Sequence, residues 1–380
     1  MKYESLAIHG GRKDKADIQG VNYPLYLSST FVQDKLDDFS EFMYSRSNNP
    51  TRNNVEVLSA QLEGAKYGLA MSSGMAATAL AFSLLKPGEK VLINSNVYGG
   101  TWTYVSKVFD ERNIDYEIVT NFNTYDFEQA DEKTTTIFIE TPSNPLLDVT
   151  DIQGVSKKAK EKGMRVIVDN TFMTSYLQKP LELGADIVVY SATKYYAGHS
   201  DIIAGLVMVN DDAIYDELKF HQKILGAILS PFDSFLLTRG IKTLPVRMDR
   251  HLENTMQVAH YFQDSGAVEK VYYTGLKIHE GYEIQRKQAK GDGAVLSVAL
   301  KKEYDYAIFC NELKLFDLAV SLGGVESLVC HPASMTHESY AKELQEQIGI
   351  TENLLRFSVG IENIDDLLMD IQQALKKAKK

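Results

Sequence analysis

Between residues 51 and 210 the chain alternates helical patterns with short apolar runs, and this alternation constrains the fold more than any other feature. The runs are YGLAM, KVLIN, TTIFIE, MRVIVDN, ADIVVY and IIAGLVMV, separated by stretches with a helical period such as TDIQGVSKKAKEKG. A strand that is apolar throughout needs cover on both faces, and strands joined through helices run parallel. The pattern predicts an α/β domain, a mostly parallel sheet with helices on both sides. From about residue 240 the character changes. KTLPVRMDRHLENTMQVAHYFQDSG reads as one long amphipathic helix. Strand-like AVLSVAL and LLRFSVG and the terminal helix IDDLLMDIQQALKKAKK follow, predicting a smaller α+β domain. The first fifty residues carry turn signals, HGG and NNPTR, and read as an arm. The expected division is 1–50, 51–240 and 241–380.

Composition limits the partners. At 380 residues, 44% hydrophobic and 24% charged, the chain is long enough for about two domains. A formal net charge of −11 argues against nucleic acid or an anionic membrane, because either requires a basic patch. Two cysteines, Cys310 and Cys330, without CxxC spacing give neither a disulfide framework nor a zinc site, and no metal cluster stands out. The start MKYESLAIHGGRKDK has no signal-peptide core, and no run of about 18 apolar residues spans a bilayer. A cytoplasmic location is the expectation.

In open parallel sheets, ligands sit beyond the carboxyl ends of the strands. The residues at those ends are Ser72–Gly74, Asn96–Gly100, Thr141–Asn144, Asp169–Asn170 and Ser191–Lys194. SSGMAATALAFSLL opens an apolar helix with small residues, which suits either a plain N-cap by Ser73 or an anion at the helix N-terminus. Asp169 ends an apolar strand, a costly place for a carboxylate without a partner. A lysine after a strand is ordinarily a surface residue, yet Lys194 in SATKYYAGHSDIIAG shares its rim with an acid, an aromatic and small hydroxyls. Pyridoxal phosphate requires that set: a Schiff-base lysine (Lys194), an acid facing the ring nitrogen (Asp169), a stacking aromatic (Tyr98) and a phosphate cradle (Ser73 and Gly74).

SSGMAA, NVYGGT, ETPSNPLL, VDNTF, SATKYYAGHSDIIAG, TRGIKTLPVRM, SLGGVESL and LLRFSVG occur in this order over residues 44 to 360. With them the chain resembles the Cys/Met-metabolism family of pyridoxal-phosphate enzymes, which includes the cystathionine lyases, cystathionine γ-synthase and methionine γ-lyase. The resemblance implies the aspartate-aminotransferase-type fold (fold type I) and roles by position. Lys194 would bind the cofactor covalently and take the substrate's α proton. Tyr98 would stack on the ring and serve as a proton donor, and Asp169 would pair with the ring nitrogen. Gly74 and Met75 by backbone, with Ser191 and Thr193 by hydroxyl, would hold the phosphate, and Tyr44 and Arg46 would reach a neighbouring subunit's phosphate within a homotetramer. Arg356, with Ser327 and Asn144, would bind the substrate carboxylate, and Glu326 would lie near its distal part.

The expected reaction is loss of a sulfur group from a sulfur amino acid, releasing a thiol, a 2-oxo acid and ammonia, by a cystathionine γ- or β-lyase-like enzyme. A γ-replacement transferase, such as cystathionine γ-synthase or O-acylhomoserine sulfhydrylase, shares every catalytic residue and stays open. Gly100 stands where methionine γ-lyases tend to carry cysteine. Met43, Trp102 and Thr103 remove charge from the region expected to hold the substrate's far end, which would favour smaller thiols.

Overall fold

The computed structural model describes residues 1–11, 20–338 and 340–380. Seven strands form the larger sheet: β1 (Tyr67–Met71), β2 (Lys90–Asn94), β3 (Asp115–Val119), β4 (Thr134–Glu140), β5 (Arg165–Asp169), β6 (Ile187–Ser191) and β7 (Gly205–Val209). Their order is β1-β7-β6-β5-β4-β2-β3, with β7 antiparallel to both neighbours and the remaining pairs parallel. Period-two alternation divides these strands between two cores. Ile137, Ile139, Val166, Val168, Val188 and Tyr190 belong to the core on one face. Phe138, Ile167, Ile187 and Val189 belong to the core on the other. Each such side chain contributes about 1.5–3 kcal/mol by leaving water, so the central strands are fixed from both sides. The run DYEIV is not among the strands expected from the sequence, because β3 is an edge strand with only Val119 buried.

The long helix is Leu244–Asp264, with Pro245 in its first turn where a missing N–H costs nothing. Beyond it lies a second sheet of β8 (Val268–Tyr272), β9 (Val295–Leu300), β10 (Asp317–Leu318), β11 (Leu328–Cys330) and β12 (Leu354–Ser358), in the order β10-β11-β12-β9-β8. The amphipathic helix Ile364–Ala378 ends the fold, capped by Asn363. Within the first fifty residues, Tyr3–His9 is a helix docked on its own chain: Ala7 is buried and Tyr3 Oη bonds Ser175 Oγ at 2.9 Å.

One buried acid ties the first long helix to the sheet. Glu63 closes the helix Pro50–Glu63, and the phenol of Tyr190 on β6 donates to its carboxyl. Tyr190 in turn accepts from Asn170 Nδ2 at 2.9 Å, beside the end of β5. Burial pushes the Glu63 carboxyl up to about 8, against the smaller pull of the Tyr190 hydrogen bond. In the window from the ordinary glutamate range to about 8, the unfolded chain has released a proton that the folded chain keeps, so stability falls as pH rises. Glu63→Gln keeps the shape and removes the titration. Its melting temperature is expected to fall less between pH 5 and pH 8 than that of the parent; equal falls in a thermal melt would contradict the assignment.

Candidate active site

A cavity of about 400 Å³ lies beyond the carboxyl ends of β4, β5 and β6, each of which ends in a residue that lines it: Glu140, Asp169 and Ser191. Lys194 follows β6 in a tight turn, with Gly198 N donating to its carbonyl at 2.8 Å. Its Nζ donates to Ser321 Oγ at 2.6 Å. Burial first, and then the charge of Arg356, together lower the Lys194 amine to about 8. A neutral, proton-accepting fraction therefore exists near pH 7. Asp169 accepts from Thr171 N at 2.9 Å, and burial raises its carboxyl against the pull of Thr171.

The opposite wall comes from the second sheet. Arg356, in the buried strand β12, sends Nη1 to Asn144 Oδ1 at 2.9 Å and Nη2 to the Ser321 carbonyl at 2.7 Å. Its Nε is buried and, among the described residues, has no partner. A guanidinium with one unpaired N–H in an enclosed cavity suits a carboxylate ligand, since leaving it unpaired carries a desolvation cost. Ser321 joins both cations, bonding Lys194 by its hydroxyl and Arg356 by its carbonyl. It has φ +89°, a left-handed conformation that costs a non-glycine residue about 1–3 kcal/mol and needs support. Gly323 supplies part of that support: a Cβ there would stand 2.7 Å from Tyr195 N, so the loop lies directly on the backbone beside Lys194.

Another side of the cavity is a helix N-terminus. Ser73 caps the helix Gly74–Phe82 by accepting from Ala76 N at 3.0 Å, while Gly74 and Met75 line the cavity at the helix start. A Cβ on Gly74 would stand 2.6 Å from Ser191 Cβ, so only glycine lets the helix start close on the end of β6. The Ser191 hydroxyl has no partner among the described residues and is available to an anion. These donors, the lysine and the strand-end acid match the donor set that pyridoxal phosphate needs.

The family model for the Cys/Met metabolism PLP-dependent enzymes matches residues 4–376. The chain belongs to that family. It is 47% identical over 375 residues to a cystathionine beta-lyase of Lactococcus lactis subsp. cremoris, covering 98% of this chain and 99% of the relative. A cystathionine gamma-lyase of Bacillus subtilis is 43% identical, covering 99% of this chain and 100% of the relative. The crystal structure of cystathionine gamma-lyase from Lactobacillus plantarum complexed with L-serine superposes with a TM-score of 0.96 at 39% identity, covering 100% of this chain and 99% of that one. The fold is fold type I and the cofactor of the family is pyridoxal 5'-phosphate.

Most residues expected at the site meet in the cavity: Ser73, Gly74, Met75, Tyr98, Asn144, Asp169, Ser191, Thr193, Lys194 and Arg356 all line it. The Thr193 hydroxyl is already engaged, donating to the Ala204 carbonyl at 3.2 Å and accepting Ala204 N at 3.0 Å. Ser327 does not reach the cavity. It is fully buried, donates to Glu362 Oε2 at 2.9 Å and accepts Gly360 N at 2.8 Å, whereas Ser321 of the same SLGGVESL run lines the cavity beside Arg356. Glu326 likewise lies outside, with Ser200 Oγ donating to it. Tyr44 and Arg46 are absent from their own chain's cavity; Arg46 lies 5.5 Å over the Tyr44 ring and donates to the Lys223 carbonyl at 2.6 Å. Trp102 stacks on Tyr340 at 5.2 Å, Thr103 donates to the Gly99 carbonyl, and Met43 is half-exposed, so none of the three borders the cavity. Ser321 and Glu140 are among the lining residues that the sequence did not point to; the signal for Glu140 is the same as for Asp169, an acid closing an apolar strand.

Proposed function

We propose that the protein is a carbon–sulfur lyase that splits cystathionine by β elimination into homocysteine, pyruvate and ammonia, with water consumed. The observation that carries this reading is the pairing of a depressed lysine amine with a buried guanidinium that has an unpaired N–H, both joined through Ser321 in one cavity. Arg356 takes the substrate's α-carboxylate, which turns the α proton toward Lys194 Nζ. Pyridoxal 5'-phosphate, when bound, supplies the electron sink for the pair left behind. Asp169 holds the proton on the ring nitrogen, since a nearby anion favours the charged form. Gly74, Met75 and the Ser191 hydroxyl hold the phosphate, and Tyr98 stacks on the ring and donates a proton to the departing sulfur.

β elimination needs one proton removed from carbon, which a single amine supplies. The similarity to a cystathionine beta-lyase at 47% identity supports it. The similarity to a cystathionine gamma-lyase at 43% favours a second reading, γ elimination to cysteine and 2-oxobutanoate, for which Lys194 must also take a β proton. The two differ in product. The purified holoenzyme given cystathionine is expected to release pyruvate and homocysteine, read by chromatography. Predominant 2-oxobutanoate would replace this reading by the second, and turnover only with O-acylhomoserine plus a thiol would replace both by the transferase.

We also propose a homotetramer in which Tyr44 and Arg46 of one subunit complete the phosphate site of its neighbour. Support comes from the segment 20–45, where Val32, Leu36 and Phe39 stand exposed, apolar side chains that a neighbouring subunit would cover. A cytoplasmic setting fits the two free cysteines. Among the described residues no helix is long and apolar enough to cross a membrane.

A further inference from the structure

Two carboxyls line the cavity, and only Asp169 has a role so far. Glu140 is the last residue of β4 and stands opposite Asp169 in the in-register pairing of β4 with β5. Adjacent residues of paired strands project to the same side, so both carboxyls emerge together at the rim. Glu140 is held firmly: its N–H donates to Asn94 Oδ1 at 2.9 Å, and Asn94 Nδ2 donates to its carbonyl at 3.2 Å. Both residues are buried, and Asn94 closes the neighbouring strand β2.

The carboxyl reaches away from the sheet. Glu140 Oε2 accepts from the backbone N–H of Tyr98 at 2.8 Å. Tyr98 is the cap residue of the helix Gly99–Glu111 and has no side-chain capping bond of its own. Glu140 thus serves, from another strand, the start of that helix. The Tyr98 ring is half-exposed and, among the described residues, has no hydrogen bond and no ring partner, so its direction depends on the backbone that carries it. The ring lies close over the next turn, where a Cβ on Gly100 would stand 2.6 Å from Tyr98 Cε1.

We propose that Glu140 is a positioning residue that, by accepting the Tyr98 amide, fixes the backbone from which the Tyr98 ring lies over the cofactor. The inference rests on the reading of Tyr98 as the stacking residue, and holds whichever sulfur amino acid is the substrate. Burial, followed by the negative charge of Asp169, pushes the Glu140 carboxyl well above the usual carboxylate range, while the backbone N–H groups of Tyr98 and Asn144 and then the charge of Arg356 pull it down. The group acts as a hydrogen-bond acceptor, and an amide of the same shape can replace it in that task.

The test compares holoenzymes carrying Glu140→Met, which fills the space without an acceptor, Glu140→Gln, which keeps one, and Tyr98→Ala. The readouts are the visible circular dichroism of the bound cofactor, its dissociation constant, and kcat and KM with cystathionine. Glu140→Met is expected to change the visible band in the same sense as Tyr98→Ala and to lower kcat about tenfold, the scale of a modest misplacement. Glu140→Gln recovers the band and most of kcat. Should Glu140→Met not fold, Glu140→Ala takes its place. A parental band in Glu140→Met, or a Glu140→Gln variant that behaves like Glu140→Met, overturns the inference while leaving Tyr98 in its role. A parental band in Tyr98→Ala overturns the stacking role itself, and the inference with it.

Discussion

Lys194→Ala is expected to abolish sulfur-amino-acid cleavage, with kcat reduced by about a thousandfold or more, because the proposed covalent anchor and the proposed base for the α proton are lost together. The fold should survive. Among the described residues the lysine side chain donates only to Ser321 Oγ, and removing a lysine with a depressed pKa relieves a desolvated charge instead of opening a gap in the apolar core. Far-ultraviolet circular dichroism and the melting temperature of the apoenzyme are expected near the parental values, while the visible absorbance of lysine-bound cofactor disappears. A variant that keeps 2-oxo acid production would remove Lys194 from the chemistry.

Arg356→Lys is the second large effect. The ammonium retains charge but cannot hold Asn144 Oδ1, the Ser321 carbonyl and a carboxylate at fixed angles, as the three-sided guanidinium can. The expected loss in kcat/KM is about 100-fold, the scale of breaking a buried hydrogen-bonded charge pair, with KM taking a large share. Arg356→Ala has an additional signature. The positive charge of Arg356 helps keep the Lys194 amine low, so its removal raises that amine, and the neutral fraction at a given pH falls. The rate at which apoenzyme recombines with pyridoxal phosphate needs neutral Lys194, so in the parent it should climb with pH and level off above about 8. In Arg356→Ala the climb should move to higher pH; an unmoved profile would show that the two cations do not interact.

How much of this was legible in the sequence depended on burial. β4, β5 and β6 announce themselves because both faces are covered, which leaves unbroken apolar runs, whereas β3 at the sheet edge has a mixed pattern resembling a loop. The strand-end rule then brings Asp169, Lys194 and the Ser73–Gly74 turn to one place, and the cavity contains them. Two serines six residues apart in SLGGVESL could not be told apart in one dimension. The deciding facts are three-dimensional: Ser321 sits in a left-handed loop over Lys194, and Ser327 leads into β11 and is consumed by Glu362. The polar partners of Arg356 come from residues 144 and 321, remote in sequence from residue 356, so an arginine between apolar neighbours signals a buried charge but not what it binds.

Peptide mapping after reductive trapping asks whether catalysis is built on Lys194. The holoenzyme is reduced with borohydride, digested, and searched by mass spectrometry for the lysine that carries the reduced cofactor. One stoichiometric label is expected, on the peptide that contains Lys194. A label on another lysine, or a holoenzyme that cannot be labelled, would contradict it.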